Sequence, residues 1–514
     1  MSQRRFIGGL AALALALTGC TGGGEGVNVG NNNAGSGGEG GQGGTLVAAL
    51  SGEPDQLDPH KTTAYPSFQV LENVYDTLVQ PNQELEMEPA LASKWQTSED
   101  GLTWTFTLRE GVRFHNGNPF TAADVVYSYK RITGEKLANA YRFEAVKDVA
   151  AQGDDTVVIT LNRPAPNLLS QIGGFKGMAI LDQESAKTTN LARQTNGTGP
   201  FQLQSFRSGD SIQLARNDKY WGKKARLDGV TFRFIAEPTA ALTNLQGGDV
   251  QWTDNIPPQQ VESLEGNDEI QVGREPSNDY WYFAANQRRK PFDNPKVRQA
   301  LAYAVNRGDV VEAAKFGLAT ENQTAIPDTH AFHINHEPYE RDTDRAKELL
   351  SEAGVRNLTV DLMVTNEFPE TVQAAQVLSS QFKDIGVNTK IRTLDFAAWL
   401  DEQGKGNFDI FMLGWLGNID PDDFYYAQHH SKGTFNFQKY ANPEVDRLLD
   451  AGRRELDNER RQEIYSDAAE MIADDASYVY LYNPDVVQAW TNAVKNYEAR
   501  PDRAIRFKDV SLEQ

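Results

Sequence analysis

Between Leu358 and Gly414 the sequence switches repeatedly between two hydrophobic periods, and few folds accommodate such a switch. Leu358–Val364, Val387–Arg392 and Phe408–Gly414 are short apolar runs that read as strands, whereas Glu370–Ile385 and Phe396–Gln403 carry apolar residues at helical spacing. That order, strand and helix by turns, predicts a parallel sheet with crossover helices. Two helices, Pro443–Arg454 and Asn458–Asp474, and a short strand, Tyr478–Tyr482, follow it. Open parallel sheets take ligands beyond the carboxyl ends of their strands. Here that position is Gly414-Trp415-Leu416-Gly417-Asn418-Ile419-Asp420-Pro421-Asp422-Asp423-Phe424. Trp415 offers a stacking face, and the carboxylates offer charge-assisted hydrogen bonds to an ammonium or a hydroxyl. The plainer alternative is an acidic loop in which Asp420 only opens a turn before Pro421.

The first half is less regular. Thr45–Leu50 reads as a strand, and Phe68, Leu71, Val74, Tyr75, Leu78 and Val79 recur at helical spacing. Thr103–Leu108 alternates strictly, and Arg109-Glu110-Gly111 is expected to turn it into Val112-Arg113-Phe114 as a hairpin. Thr121 with Asp124 opens a helix as a capping box, and Asn294-Pro295 opens another. The fold class is therefore α/β.

Charge and termini narrow the function. Fifty Lys and Arg against 71 Asp and Glu give −21, which disfavours phosphate backbones and anionic lipid surfaces, so no nucleic-acid partner is expected. Arg4-Arg5, the apolar run Phe6–Leu17 and Leu17-Thr18-Gly19-Cys20 read as an export signal over residues 1–19. As a helix that run rises about 18 Å, too short for a hydrocarbon core of about 30 Å. The sole cysteine sits at the cleavage point, so an internal disulfide is excluded. Arg4-Arg5 also begins a twin-arginine pattern, and both export routes stay open. Residues 20–44, half glycine after the cysteine, read as a tether with ends about 25–30 Å apart.

Signs of chemistry are sparse. His330, His333 and His336 recur every third residue, which suits a metal only if the backbone gathers them, and a solvated loop is the simpler reading. Gly197-Thr198-Gly199-Pro200 lacks the ending of a phosphate loop and reads as a tight turn between lobes. No Gly-x-Ser-x-Gly or His-Glu-x-x-His is present. The chain is expected to be no enzyme and to hold no cofactor or metal.

Several segments resemble the extracytoplasmic solute-binding proteins of ABC importers, in the oligopeptide, dipeptide and nickel-binding family. They are Leu57-Asp58-Pro59-His60-Lys61, Glu72 to Leu78, the dense stretch Pro89 to Tyr129, Gly197 to Phe201, Asn217 to Trp221, Phe292 to Arg307 and Asp409 to Phe424. Leu17-Thr18-Gly19-Cys20 resembles a lipobox, with Cys20 as the lipidated residue. The resemblance implies a two-lobed type II periplasmic-binding-protein fold with an extra α/β subdomain inserted in the first lobe. It places lobe I at 45–65, 193–283 and 487–514, the insertion at 66–192 and lobe II at 284–486. It implies a monomer, anchored by lipid to the outer face of the cytoplasmic membrane, that closes on a short peptide and docks on the importer's permease subunits. An oligosaccharide or a metal chelate is the alternative solute, and a peptide sensor the alternative role. Residues expected to line the cleft are Glu53, His60, Thr62, Tyr280, Trp281, Trp415, Asn418 and Asp420. Peptide-binding relatives pair the ligand ammonium with an aspartate at the position of Asn418. With asparagine there, either Asp420 takes over the counter-charge or the ligand lacks a free ammonium.

Overall fold

A computed structural model describes residues 43–174 and 176–513. The export signal, Cys20 and the tether up to residue 42 lie outside them. The last two tether residues are already docked: Gly43 N donates to Arg226 O at 2.9 Å and Gly44 N to Asp228 Oδ2 at 2.8 Å. Gly43 and Gly44, read as tether from the sequence, thus pack with the body.

Two sheets share one long strand. In the first, Thr45–Leu50 lies parallel to Gly229–Phe234 and Trp252–Thr253, and Ser211–Arg216 and Phe201–Arg207 extend the edge. In the second, Asn388–Leu394, Thr359–Thr365 and Ile410–Trp415 run parallel, as the alternating periods predict, with helices Pro369–Asp384 and Phe396–Lys405 as crossovers. Tyr280–Ala285 pairs antiparallel with Ile410–Trp415 over its whole length, so Tyr280 to Phe283 belong with the second lobe rather than the first. Val479–Thr491 joins the two sheets. Its first residues pair with Tyr280–Ala285 and Ala319–Glu321, and its last with Trp252–Thr253 and Ile270–Pro276.

A four-stranded antiparallel sheet of Ala92–Thr97, Thr103–Leu108, Thr156–Leu161 and Val146–Ala151 forms a separate layer. Trp104, Phe106 and Leu108 face its core beneath helix Ala122–Gly134. Asp124 caps that helix by accepting from Thr121 N at 2.9 Å and its hydroxyl at 3.0 Å. Two expectations fail here. Val112–Phe114 forms no hairpin with Thr103–Leu108, whose two edges are taken by other strands, and contributes only a bridge from Arg113 to Pro119. The periodic run from Phe68 is helical only over Tyr65–Leu71. Beyond it, Val74, Tyr75 and Leu78 are buried in a turn onto which Gly197–Phe201 folds, with Gly199 N on Val74 O at 2.9 Å. A Cβ on Gly197 would stand 2.0 Å from Val74 O, which is why glycine occupies this turn.

Candidate functional site

A cavity of about 460 Å³ lies where three regions meet. The first-lobe segment contributes Thr63 and Tyr65, residues 66–192 contribute Phe68 and residues between Asn139 and Gln171, and the second lobe contributes Trp415 to Gln428 with Phe435 and Arg453. The lobes touch across it. Asn167 Nδ2 donates to Asp422 Oδ2 at 3.2 Å, Gln171 Nε2 donates to Asp423 Oδ1 at 2.7 Å, and Arg453 pairs with Glu144 at 3.0 Å. Tyr141 meets Phe435 edge to face at 5.8 Å between centroids. The geometry is that of two lobes in contact across a partly open cavity.

Trp415 ends its strand at the cavity wall, as the position beyond a parallel sheet predicts, and Asn418 follows in the same wall. Asn418 is 8% exposed and its Nδ2 has no hydrogen-bond partner. Its carbonyl is fixed by Asn278 Nδ2 at 3.0 Å. Asp420 does something else. It is the N-cap of helix Pro421–His429, accepting from Asp422 N at 3.0 Å, and it holds both terminal nitrogens of Arg461 at 2.9 and 2.5 Å. With side chains only 12% and 4% exposed, this pair leaves Asp420 no role as a ligand's counter-charge.

The remaining expected residues stand off the cavity. Glu53 accepts from Ser208 Oγ and Gly209 N at 2.7 and 2.8 Å on the first lobe. His60 is fully enclosed: Arg131 donates to its Nδ1 at 3.0 Å and its Nε2 donates to Ala179 O at 2.8 Å. Burial pushes this imidazole down to about 4, so it stays neutral and structural. Thr62 donates to Asp55 Oδ1 at 2.6 Å, and its neighbour Thr63 reaches the cavity instead. Tyr280 is buried with its hydroxyl on Phe424 O at 3.3 Å, and Trp281 is core, packed against Phe368 and Tyr482. The histidine run is likewise local, with His330 on Ile419 O, His333 on Ile326 O and His336 on Asp474. Among the described residues no group of three or more His, Cys, Asp or Glu is placed to hold a metal.

The subdomain's contribution, Asn167, Gln171 and Glu144, carries no motif and escapes a sequence reading. Asp422 and Asp423 had one signal, the Asp-Pro-Asp-Asp start of a capped helix. Burial pushes Asp422 up to about 6 against the pull of Arg453, whose Nε stands 3.2 Å away.

Residues 86–436 match the family described as bacterial extracellular solute-binding proteins, family 5 Middle. The chain belongs to that family. A family 5 relative, the glutathione-binding protein GsiB of Pectobacterium atrosepticum, is 28% identical over 484 residues, covering 91% of this chain and 94% of that protein. The dipeptide-binding protein of Escherichia coli K12 is 28% identical over 507 residues, covering 91% and 95%. Among solved structures, the periplasmic binding protein DppA of Helicobacter pylori, in complex with the peptide STSA, superposes with a TM-score of 0.83 at 31% identity, covering 92% of this chain and 99% of that one. The fold is thus the two-lobed type II periplasmic-binding-protein fold, and this family 5 protein binds a solute rather than transforming one. Among the described residues no helix is long and apolar enough to cross a membrane.

Proposed function

We propose that the protein captures short peptides between its lobes and delivers them to the permease subunits of an ABC importer, acting as a monomer held at the outer face of the membrane by lipidated Cys20. The cavity between the lobes carries this reading. About 460 Å³ suits a ligand of a few residues, within the range of about 300–1,000 Å³ usual for small-ligand sites. Its wall offers what an extended peptide needs, an aromatic face at Trp415 and side-chain amides at Asn418, Asn167 and Gln428. The names of the relatives, glutathione-binding and dipeptide-binding, and the peptide bound to the Helicobacter pylori protein support the same class of ligand. Lobe I (45–65, 193–283, 487–514, with the Tyr280 strand reassigned) and lobe II (284–486) then act as the jaws.

Thermal-shift measurements with peptides of two to eight residues, oligosaccharides and nickel chelates test this. A true ligand at 100 times its dissociation constant stabilises the folded protein by about 2.7 kcal/mol. A shift with peptides alone supports the proposal. The neutral Asn418 favours one alternative, a ligand without an ammonium, and a shift with sugars or chelates alone would replace the peptide.

A further inference from the structure

We propose that Asp423, and neither Asn418 nor Asp420, supplies the counter-charge for the ligand's ammonium; this rests on the peptide reading above. Three carboxylates begin the helix at the cavity wall, and two are neutralised by the chain itself. Asp420 is bound to Arg461, and Asp422 faces Arg453 while also accepting from Asn167 and from the Tyr465 hydroxyl at 3.1 Å. Asp423 differs. It accepts from Gln171 Nε2 at 2.7 Å and from Asp420 N at 3.3 Å, and no ion pair joins it to any described cation. The nearest charge is that of Arg142, which donates to Gln171 Oε1 at 3.2 Å and pulls on Asp423 through space without an ion pair. Two of about four acceptor positions on the Asp423 carboxylate therefore stay open. Although it sits deep in the cleft, Asp423 keeps some accessible surface and lines the cavity.

Two enclosed polar side chains in the same wall have an atom without a partner, Nδ2 of Asn418 and Oε1 of Gln428, the latter residue being 2% exposed. Leaving such atoms unmatched is costly, because each has given up its water without a replacement partner. Donor and acceptor together call for a ligand end with both functions. An α-ammonium beside its first peptide carbonyl has them: the ammonium is held by Asp423 and the Gln428 oxygen, and the carbonyl accepts from Asn418. Burial raises the proton affinity of Asp423 in the empty cavity, with the Arg142 charge opposing it, and an arriving ammonium removes that cost.

The test is calorimetric titration with an Ala-X-Ala tripeptide library made twice, with free and with acetylated amino termini. Wild-type protein is expected to prefer the free amine. Asp423→Asn keeps the shape and is expected to weaken the free-amine set about 10- to 100-fold while leaving the acetylated set within twofold. Gln171→Leu, which removes the contact across the cleft but keeps the carboxylate, should weaken both sets alike. Equal losses for both sets in Asp423→Asn, or no loss, would overturn the assignment and leave peptide binding standing. A wild-type preference for acetylated peptides would do the same. If neither set binds wild-type protein, the peptide reading falls and this assignment with it.

Discussion

The two loops that the sequence sets on opposite sides of the cleft, Glu53–Ala64 and Trp415–Gln428, use their polar residues in opposite ways. In the first, Asp58 takes both terminal nitrogens of Arg131, and Asp55 takes the hydroxyls of Thr62 and Ser67 at 2.6 and 2.7 Å. His60 is held between Arg131 and Ala179. Arg131 comes from the inserted subdomain, so this loop fastens that subdomain to the first lobe. The second loop rests on a strand end and a helix whose start is capped by the Asp420 and Asp423 side chains. That leaves Trp415, Asn418, Asp423 and Gln428 for a ligand. A polar residue beside a cleft belongs to the site only when its neighbours do not already match it.

The largest test removes the clasp of the first loop. Arg131→Ala leaves Asp58 and His60 uncompensated in an interior where the pair's side chains are 8% and 4% exposed. It should cost about 3–5 kcal/mol of stability, read by denaturant unfolding, with the dissociation constant of the folded fraction unchanged. A large affinity loss at full stability would break the contrast. Asp420→Ala belongs to the second loop but should behave like the first, losing a comparable amount of stability by stranding Arg461 while the preference for free over acetylated amines persists. Trp415→Ala should instead weaken peptides of every sequence by about tenfold or more through the lost aromatic face.

Acidity supplies a smaller effect. Burial holds Asp422 up at about 6, and if opening of the cleft re-exposes it, its carboxyl falls back toward the ordinary 3.8. The closed form thus binds the proton more tightly. Its stabilisation is fully present below about 3.8 and is lost as pH rises through about 6. The groups facing it are Arg453, Tyr465, Asn167, Asp420, Asp423 and Arg461. Affinity should tighten up to about tenfold from pH 7 to pH 5 and flatten in Asp422→Asn. A slope of opposite sign would show that Asp422 is not released on opening. Smallest, Thr62→Val removes two hydrogen bonds, to Asp55 and from Ala64 N, and should cost about 1–3 kcal/mol without altering any ligand's affinity.

The crossover half of the fold was legible because its periods are long and its breaks carry caps and prolines. Helix Pro295–Tyr303 likewise begins where Asn294 accepts from Lys296 N at 3.0 Å. Periodicity misled at Phe68–Val79 because a turn enclosed by the Gly197–Phe201 segment buries every apolar side chain, helical or not. Topology placed Trp415 and Asn418 beyond the parallel strands, and both line the cavity. His60 and Thr62 did not fit because the sequence does not tell which way a polar side chain turns, and the partner that decides it, Arg131, lies 71 residues from His60. The subdomain's part in the cavity was invisible for the same reason: Asn167 and Gln171 acquire meaning only when Asp422 and Asp423 arrive 255 and 252 residues later.

The strand Val479–Thr491 is paired with second-lobe strands at one end and first-lobe strands at the other. The pivot between the jaws is therefore a bending element and not a slack joint. Bending of the clamp would fall near Pro484, which still pairs with Ala319, and at the opposite crossing Ser277–Asp279, with the ladders on either side kept zipped. Amide hydrogens flanking the pivot should then exchange equally slowly with and without ligand, and the elastic strain of bending, returned on opening, sets how readily the clamp lets its cargo go.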